Sequence, residues 1–326
     1  MGKIAFVFPG QGSQKVGMGW EIFKASERAR QIYSIADQTL GYSLSLLCFD
    51  GPEEQLRLTA NTQPAILTTS IALLEVFNEL SDLKPDFVAG HSLGEYTALV
   101  AAGSLSFKDA VLAVHKRGTY MEEAVPAGVG AMSAIMNLDR NKLEEVCKQV
   151  SREKHVVEPA NYNSPGQIVI SGHKDAVQEA GEKAAEAGAR RVIPLSVSGP
   201  FHSSLMKPAA DRLADHLASI SIQEANVPVV ANAIAEGVSQ PEEINRLLVK
   251  QVASPVLWED SVRYMLAQGV DTFVEFGAGN VLSGLVKKVN RKVKTISVQD
   301  PETLKQAVET LQSLYQPEGE SANVNG

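Results

Sequence analysis

The sequence predicts an α/β protein: a large domain on a central parallel sheet, with a smaller βαββαβ subdomain inserted into it. Three observations carry that prediction. Short apolar runs, such as Lys3-Ile4-Ala5-Phe6-Val7-Phe8 and Asp86-Phe87-Val88-Ala89, alternate with helical patterns, as in sheets covered by helices on both faces. The second run enters Gly90-His91-Ser92-Leu93-Gly94, a Gly-x-Ser-x-Gly turn between strand and helix that makes the large domain hydrolase-like. Between residues 128 and 197 the runs read strand, helix, strand, strand, helix, strand, the ferredoxin-like pattern. The expected division is a discontinuous large domain over 1–127 and 198–315, a subdomain over 128–197 and a flexible polar tail over 316–326.

Composition narrows the function. At 326 residues the chain exceeds one average domain. A formal charge of −8 argues against a general nucleic-acid surface, which wants positive charge. Two cysteines, Cys48 and Cys147, are too few for a disulfide framework or a zinc site. Cys48 lies in the apolar run Leu46-Leu47-Cys48-Phe49 and reads as core. No apolar run reaches membrane-spanning length and no signal peptide is evident, so the expected location is cytoplasmic, or an organelle reached by a segment already removed, with no membrane partner.

The first strand, 3–8, is mostly apolar, as a strand buried on both faces should be. Pro9-Gly10-Gln11-Gly12-Ser13-Gln14 breaks it. Two phosphate-loop motifs fail here: Gly-x-Gly-x-x-Gly because Lys15 takes the third glycine position, Walker A because Met18-Gly19 follows Gly17. What remains is a strand-end loop offering Gln11, either a turn residue facing water or a donor lining a site. Asn61-Thr62-Gln63-Pro64 opens a helix with proline in its first turn, apolar to Leu80. The helix after Ser92 should end near Gly103, and Ser106-Phe107-Lys108-Asp109 starts the next.

On that next helix Phe107, Ala110, Val111, Val114, Gly118 and Met121 form one apolar stripe. At about 100° per residue Lys116 falls opposite the stripe, in solvent, and Arg117 at its edge. A guanidinium beside a buried face wants an anion. That anion is either an acidic side chain in a salt bridge or the carboxylate of a substrate. His115 reads as a helix-surface histidine.

The inserted unit has expected strands at 131–136, 156–161, 167–171 and 191–197 and helices at 139–152 and 175–187. Asn161 and Gln167 either face a cleft or complete turn and strand-end hydrogen bonds. Ser198-Gly199-Pro200-Phe201-His202-Ser203 returns the chain to the large domain, with Ser203-Ser204 placed to cap a helix from Leu205. His202 therefore sits on a strand-end loop, where α/β sheets put their sites. A strand at 227–232, a helix at 241–251 and a strand at 271–276 follow. Gly277-Ala278-Gly279 is no dinucleotide fingerprint, since Leu282 stands where the third glycine belongs. From Val286 to Lys294 there are five cations in nine residues, either a solvated face or a surface for an acidic partner.

Ser92 needs a base, because a hydroxyl is a poor nucleophile at neutral pH. His202 is the best-placed histidine, and serine before histidine matches the hydrolase-like order. The side chain of His91 is expected to point away from Ser92. No acid stands out as a third member; a backbone or amide carbonyl can orient the imidazole instead. The N–H of Leu93 is an oxyanion donor by position, and the loop around Gln11 can supply a second, each worth about 2.7–4 kcal/mol in the transition state.

Several motifs in one order now carry a resemblance: Phe8-Pro9-Gly10-Gln11-Gly12-Ser13-Gln14, Thr62-Gln63-Pro64-Ala65, Gly90-His91-Ser92-Leu93-Gly94-Glu95, Lys116-Arg117-Gly118, Asn161-Tyr162-Asn163-Ser164-Pro165-Gly166-Gln167, Phe201-His202-Ser203 and Glu275-Phe276-Gly277. From Phe6 to about Val289 the chain resembles the malonyl-CoA:acyl-carrier-protein transacylases of fatty acid synthesis. The resemblance implies that Ser92 is malonylated from malonyl-CoA and passes the group to the phosphopantetheine thiol of acyl carrier protein. It implies His202 as base and acid in turn, and Gln11 and Leu93 as oxyanion-hole N–H groups. It also implies Arg117 on the malonate carboxylate and the Gln251 carbonyl as the group orienting His202. Phe201 resembles the malonyl-selective members, and Asn161 and Gln167 join it as expected substrate contacts. CoA is a substrate, so neither cofactor nor metal is implied. Lys287, Lys288, Arg291 and Lys292 become a candidate docking surface for the acidic carrier protein.

Two rival classes use the same residues. A serine esterase or thioesterase predicts that Arg117→Ala leaves ester turnover nearly intact. A non-catalytic acyl- or carrier-binding module predicts no covalent adduct on Ser92. Use in polyketide rather than fatty acid synthesis stays open at this point.

Overall fold

The computed structural model describes residues 2–126, 128–197 and 199–315. The expected tail, 316–326, lies outside the described residues. Strand β1 (Lys3–Phe8) alternates its side chains between two cores, as a two-sided buried strand must. Ile4, Phe6 and Phe8 enter one, Ala5 and Val7 the other. The sequence reading placed no element between residues 15 and 60. Four helices occupy that span, α1 (Trp20–Ala25), α2 (Glu27–Leu40), α3 (Leu44–Asp50) and α4 (Glu53–Leu56). Cys48 is buried there among core residues, as expected.

Helix α5 (Thr59–Leu80) starts earlier than the sequence suggested, so Pro64 lies inside it rather than in its first turn. Proline has no N–H to give to the carbonyl four residues back. That carbonyl, Ala60 O, is instead taken by His115 Nδ1 at 2.8 Å. The carbonyl can only accept, so the proton is on Nδ1. His115 is thus a partner for a proline-disrupted helix, not a free surface histidine.

Strand β2 (Phe87–Gly90) runs into the Ser92 turn and then α6 (Gly94–Ala101). Helix α7 (Phe107–Glu123) begins where Ser106 Oγ accepts from the N–H of Asp109. Lys116 on α7 is not fully in solvent, since its Nζ meets His216 Nδ1 at 3.3 Å.

The inserted unit comprises β3 (Gly130–Met136), α8 (Arg140–Val150), β4 (Val157–Ser164), β5 (Gln167–His173), α9 (Lys174–Glu186) and β6 (Arg191–Pro194). Its sheet has the order β4-β5-β3-β6, every pair antiparallel. Numbered within the unit that is 2-3-1-4, the order a ferredoxin-like βαββαβ unit takes. Strand alternation divides its residues: Ile135, Ile168 and Ile170 pack with the helices, while Met132, Ala134 and Val169 join the core of the large domain. Strand β6 stops at Pro194, short of the expected 197.

After the insertion, Ser203 does not cap a helix with its side chain. Its Oγ donates to Pro200 O, and a 3₁₀ turn, Ser204–Met206, leads into α10 (Lys207–Leu217). The rest runs β7 (Val229–Ala231), β8 (Glu236–Val238), α11 (Pro241–Val252), α12 (Trp258–Ala267), β9 (Val270–Phe276), α13 (Val281–Val289), β10 (Lys294–Val298) and α14 (Pro301–Tyr315). The sequence reading missed β8, α12, β10 and α14. The main sheet has the order β10-β9-β1-β2-β7-β8, parallel except for β8. No helix among the described residues is long and apolar enough to cross a membrane. The carboxyl ends of β1 and β2 lie side by side, with Phe8 opposite Gly90. That register brings the Gln11 loop against the Ser92 turn, where open α/β sheets hold their ligands.

Candidate active site

Ser92 has φ of +53°, a left-handed conformation that a serine adopts only when held. Its N–H donates to Asn232 Oδ1 at 2.7 Å and its carbonyl accepts from Gln251 Nε2 at 2.9 Å. Both glycines of the turn are required by packing. A Cβ on Gly90 would lie 1.9 Å from the Gly94 carbonyl carbon, and one on Gly94 would lie 2.2 Å from Phe8 O.

His202 Nε2 lies 2.8 Å from Ser92 Oγ, and His202 Nδ1 lies 2.9 Å from Gln251 O. A carbonyl only accepts, so Nδ1 carries the ring proton and Nε2 is left as the acceptor for the Ser92 hydroxyl. Burial pushes the imidazole pKa down to about 3, and the nearby Arg117 charge pushes the same way. The ring is therefore neutral and ready to take a proton.

Arg117 is only 1% exposed, on the buried side of α7. Its Nη1 donates to Gln63 Oε1 at 2.8 Å; its Nη2 donates to Gln251 Oε1 at 3.0 Å and to Ser92 Oγ at 3.1 Å. No salt bridge joins it to an acidic side chain among the described residues, and Nε has no partner. Of the two anions the sequence allowed, a side-chain carboxylate in direct contact is not found among the described residues. Burial lowers the guanidinium pKa, with Tyr96 and Glu95 opposing.

These groups line a cavity of about 100 Å³ together with Gln11, Leu93, Asn161 and Phe201. The backbone N–H groups of Gln11 and Leu93 donate to no backbone carbonyl among the described residues. Met132, Asn161 and Leu195 come from the inserted unit, Ser92 and Arg117 from the large domain. The cavity is thus the cleft between the two. Gln251 stands behind it, with both its carbonyl and its side chain engaged.

Gln167 is not in this cavity. It sits at the mouth of the β4-β5 hairpin, where its Oε1 accepts from Lys288 Nζ at 2.8 Å. His91 lines the cavity, and its Nε2 bonds Asn163 Oδ1 across the two units at 2.8 Å.

The sequence reading also missed Gln63, Glu95 and Asn232. Glu95 is buried, and its carboxyl is pushed up to about 7 by that burial, against the pull of donors from Asn232 and Gln251 and of Arg117. Asn232 follows β7 immediately, and a polar residue at the carboxyl end of a parallel strand was a usable signal. Gln63 and Glu95 stand inside the motifs Thr62-Gln63-Pro64-Ala65 and Gly94-Glu95, but no role could be read for them, because they act on residues far along the chain.

Among the five basic residues, Lys287 turns inward to the carbonyls of Arg291 and Val293. Lys288, Arg291, Lys292 and Lys294 are exposed. No group of three or more histidine, cysteine or acidic side chains among the described residues is arranged to hold a metal ion.

Residues 5–321 match the acyl transferase domain family. A malonyl CoA-acyl carrier protein transacylase of Bacillus subtilis is 56% identical over 311 residues, covering 95% of this chain and 98% of the relative. An acyl carrier protein S-malonyltransferase of Vibrio cholerae superposes with a TM-score of 0.92 at 44% identity, over 94% of this chain and 99% of that one. A malonyl-transacylase solved in complex with its type II PKS acyl-carrier protein superposes equally well, TM-score 0.92 at 44% identity, with coverage of 94% and 99%.

Proposed function

We propose, for a chain that belongs to the acyl transferase family and within it to the malonyl CoA-acyl carrier protein transacylases, that Ser92 carries the acyl group, His202 moves the protons and Arg117 holds the free carboxylate. The reaction is malonyl transfer from malonyl-CoA to acyl carrier protein. In the first half Ser92 Oγ attacks the thioester carbonyl carbon and its proton passes to His202 Nε2. The carbonyl oxygen becomes an oxyanion and accepts from the N–H groups of Gln11 and Leu93. Collapse breaks the C–S bond, and the CoA thiolate leaves with the proton from His202. In the second half the phosphopantetheine thiol attacks malonyl-Ser92, gives its proton to His202, and Ser92 Oγ recovers it as the new thioester departs.

Every proton in this cycle moves between Ser92, His202 and two thiols. The reading therefore calls for no metal, and for no cofactor besides CoA as substrate and product. The observation that carries the selectivity is the buried Arg117, held by amides, without a carboxylate, and 3.1 Å from the nucleophile. A buried cation with no ion pair favours an anionic ligand strongly. A malonyl carboxylate on Arg117 would also offset the charge that helps depress His202, making the base stronger once the right substrate is bound. Phe201 and Asn161 would shape the rest of the acyl pocket.

We read Lys288, Arg291 and Lys292, with Lys287 supporting their turn, as the approach surface for the carrier protein. The complex formed by the related malonyl-transacylase supports a carrier partner. We assign the reaction to fatty acid synthesis in the cytoplasm, and both free cysteines suit a reducing compartment. We also take 1–127 with 198–315 as one discontinuous domain and 128–197 as a subdomain, a division supported by the four-stranded sheet whose strands all fall within the insertion.

The test is a competition between malonyl-CoA and acetyl-CoA. Arg117→Ala should lose malonyl transfer by about 100-fold or more, as loss of a charged hydrogen-bonding partner does, while acetyl transfer falls less. An unchanged preference for malonyl would remove Arg117 from the assigned role.

A further inference from the structure

Glu95, in the first turn of α6, is a buried carboxyl that the reaction above leaves unused. Its Oε2 accepts from Gln251 Nε2 at 2.9 Å and from the backbone N–H of Asn232 at 2.9 Å. Gln251 is the residue on which the site converges. Its carbonyl accepts from His202 Nδ1, its Oε1 accepts from Arg117 Nη2, and its Nε2 donates to Ser92 O as well as to Glu95.

A primary amide has two faces of opposite character, two N–H donors and one oxygen acceptor. Rotated by half a turn, the Gln251 amide would aim N–H groups at the Arg117 donors and its oxygen at the Ser92 carbonyl and Glu95. Both contacts would then be unpaired and buried. Three acceptors on one side, Ser92 O and Glu95 Oε2 at 2.9 Å and the more distant Asn232 Oδ1 at 3.4 Å, select the orientation in which Oε1 faces Arg117. Glu95 also holds the Asn232 backbone, and Asn232 Oδ1 holds the Ser92 N–H in its left-handed turn.

We propose that Glu95 is a positioning residue that sets the Gln251 side-chain amide, and so aligns Arg117 for the malonyl carboxylate, and that through Asn232 it holds the turn that presents Ser92. It touches no substrate. The proposal rests on the roles given above to Ser92, His202 and Arg117. It predicts a signature that general destabilisation would not produce: one substitution lowers both the acylation rate per active site and the malonyl-over-acetyl ratio.

The experiment measures acylation of the full chain by malonyl-CoA and by acetyl-CoA, by quenched-flow intact mass, normalised to the fraction able to form an adduct. Glu95→Ala should lower the malonyl rate about 100-fold, as misplacement of reacting groups does. It should lower the malonyl-over-acetyl ratio about tenfold, the cost of a loosened hydrogen bond to a charged group. Glu95→Gln should restore most of both, because one carbonyl oxygen can still accept from Gln251 and Asn232. Should the alanine variant fail to fold, Glu95→Asp keeps the charge but withdraws the acceptor by one methylene, and its ratio should also fall. A ratio unchanged in whichever of Glu95→Ala and Glu95→Asp folds overturns the proposal. So does a glutamine variant as impaired as the alanine one, which would mean that the charge, not the acceptor, matters. A wild-type protein that takes no malonyl group would instead refute the underlying reading of the site.

Discussion

Ser92 and His202 lie 110 residues apart in the chain and 2.8 Å apart in space. Both were legible from residue types, because a glycine-flanked serine turn and a histidine on a strand-end loop each leave a local trace. The absence of a third acid was legible too, and its physical answer is a carbonyl, Gln251 O, which orients the ring without adding charge. A base without a carboxylate partner, buried beside Arg117, has little to hold a proton, and its pKa falls from 6.5 to about 3. The consequence is a prediction about pH. With acetyl-CoA as donor, whose acyl end does not titrate, kcat/KM for acylation should show no inflection near pH 6.5 on the acid side. Arg117→Ala should move the limb upward, because it removes one of the two main causes of the depression. A wild-type inflection near 6.5 would show His202 to be unperturbed. The sign for stability follows the same rule. The unfolded chain binds this proton near 6.5 and the folded chain near 3. The contribution is in place above 6.5 and is lost as pH falls toward 3. Gln63, Glu95 and Asn232 were not legible as a group, since their roles exist only after strands and helices distant in sequence converge.

At the scale of elements, the buried strands announced themselves by apolar runs and the subdomain by its order of periods. What escaped were elements whose signals are weak or mixed. Helix α1 has six residues and starts after a left-handed Gly19 without a side-chain cap. Helix α12 begins at Trp258, again with no side-chain cap. Strand β10 opens inside the basic run and has only one fully buried residue, Val298. The basic run itself proved to be a helix end, a turn and a strand start, which splits its five cations by job. Lys287 holds the turn, so reversing it would disturb structure as well as charge. The cleaner test reverses Lys288 and Lys292, both exposed. Their change to Glu should raise KM for the carrier protein about tenfold at low salt, less at high salt, and leave KM for malonyl-CoA unchanged. Equal effects on both substrates would take the docking surface away from this helix end.

In the whole molecule, two sheets of different design meet at one cleft. The parallel sheet presents the nucleophile turn and the Gln11 loop, and α7 sets Arg117 beneath them. The four-stranded sheet turns Met132 toward the same space and sends Asn163 across to His91. Neither unit alone closes the cavity, since Met132, Asn161 and Leu195 come from one and Ser92 and Arg117 from the other. The rival readings separate on the fate of the acyl group. A hydrolase would release the acyl group to water, and a binding module would never form the ester. Intact-mass spectrometry of the protein mixed with malonyl-CoA tests the account most directly. It predicts a single malonyl increment, absent in Ser92→Ala and discharged from the wild type when acyl carrier protein bearing a free phosphopantetheine thiol is added. No increment on the wild type, or one that persists in Ser92→Ala, would contradict it.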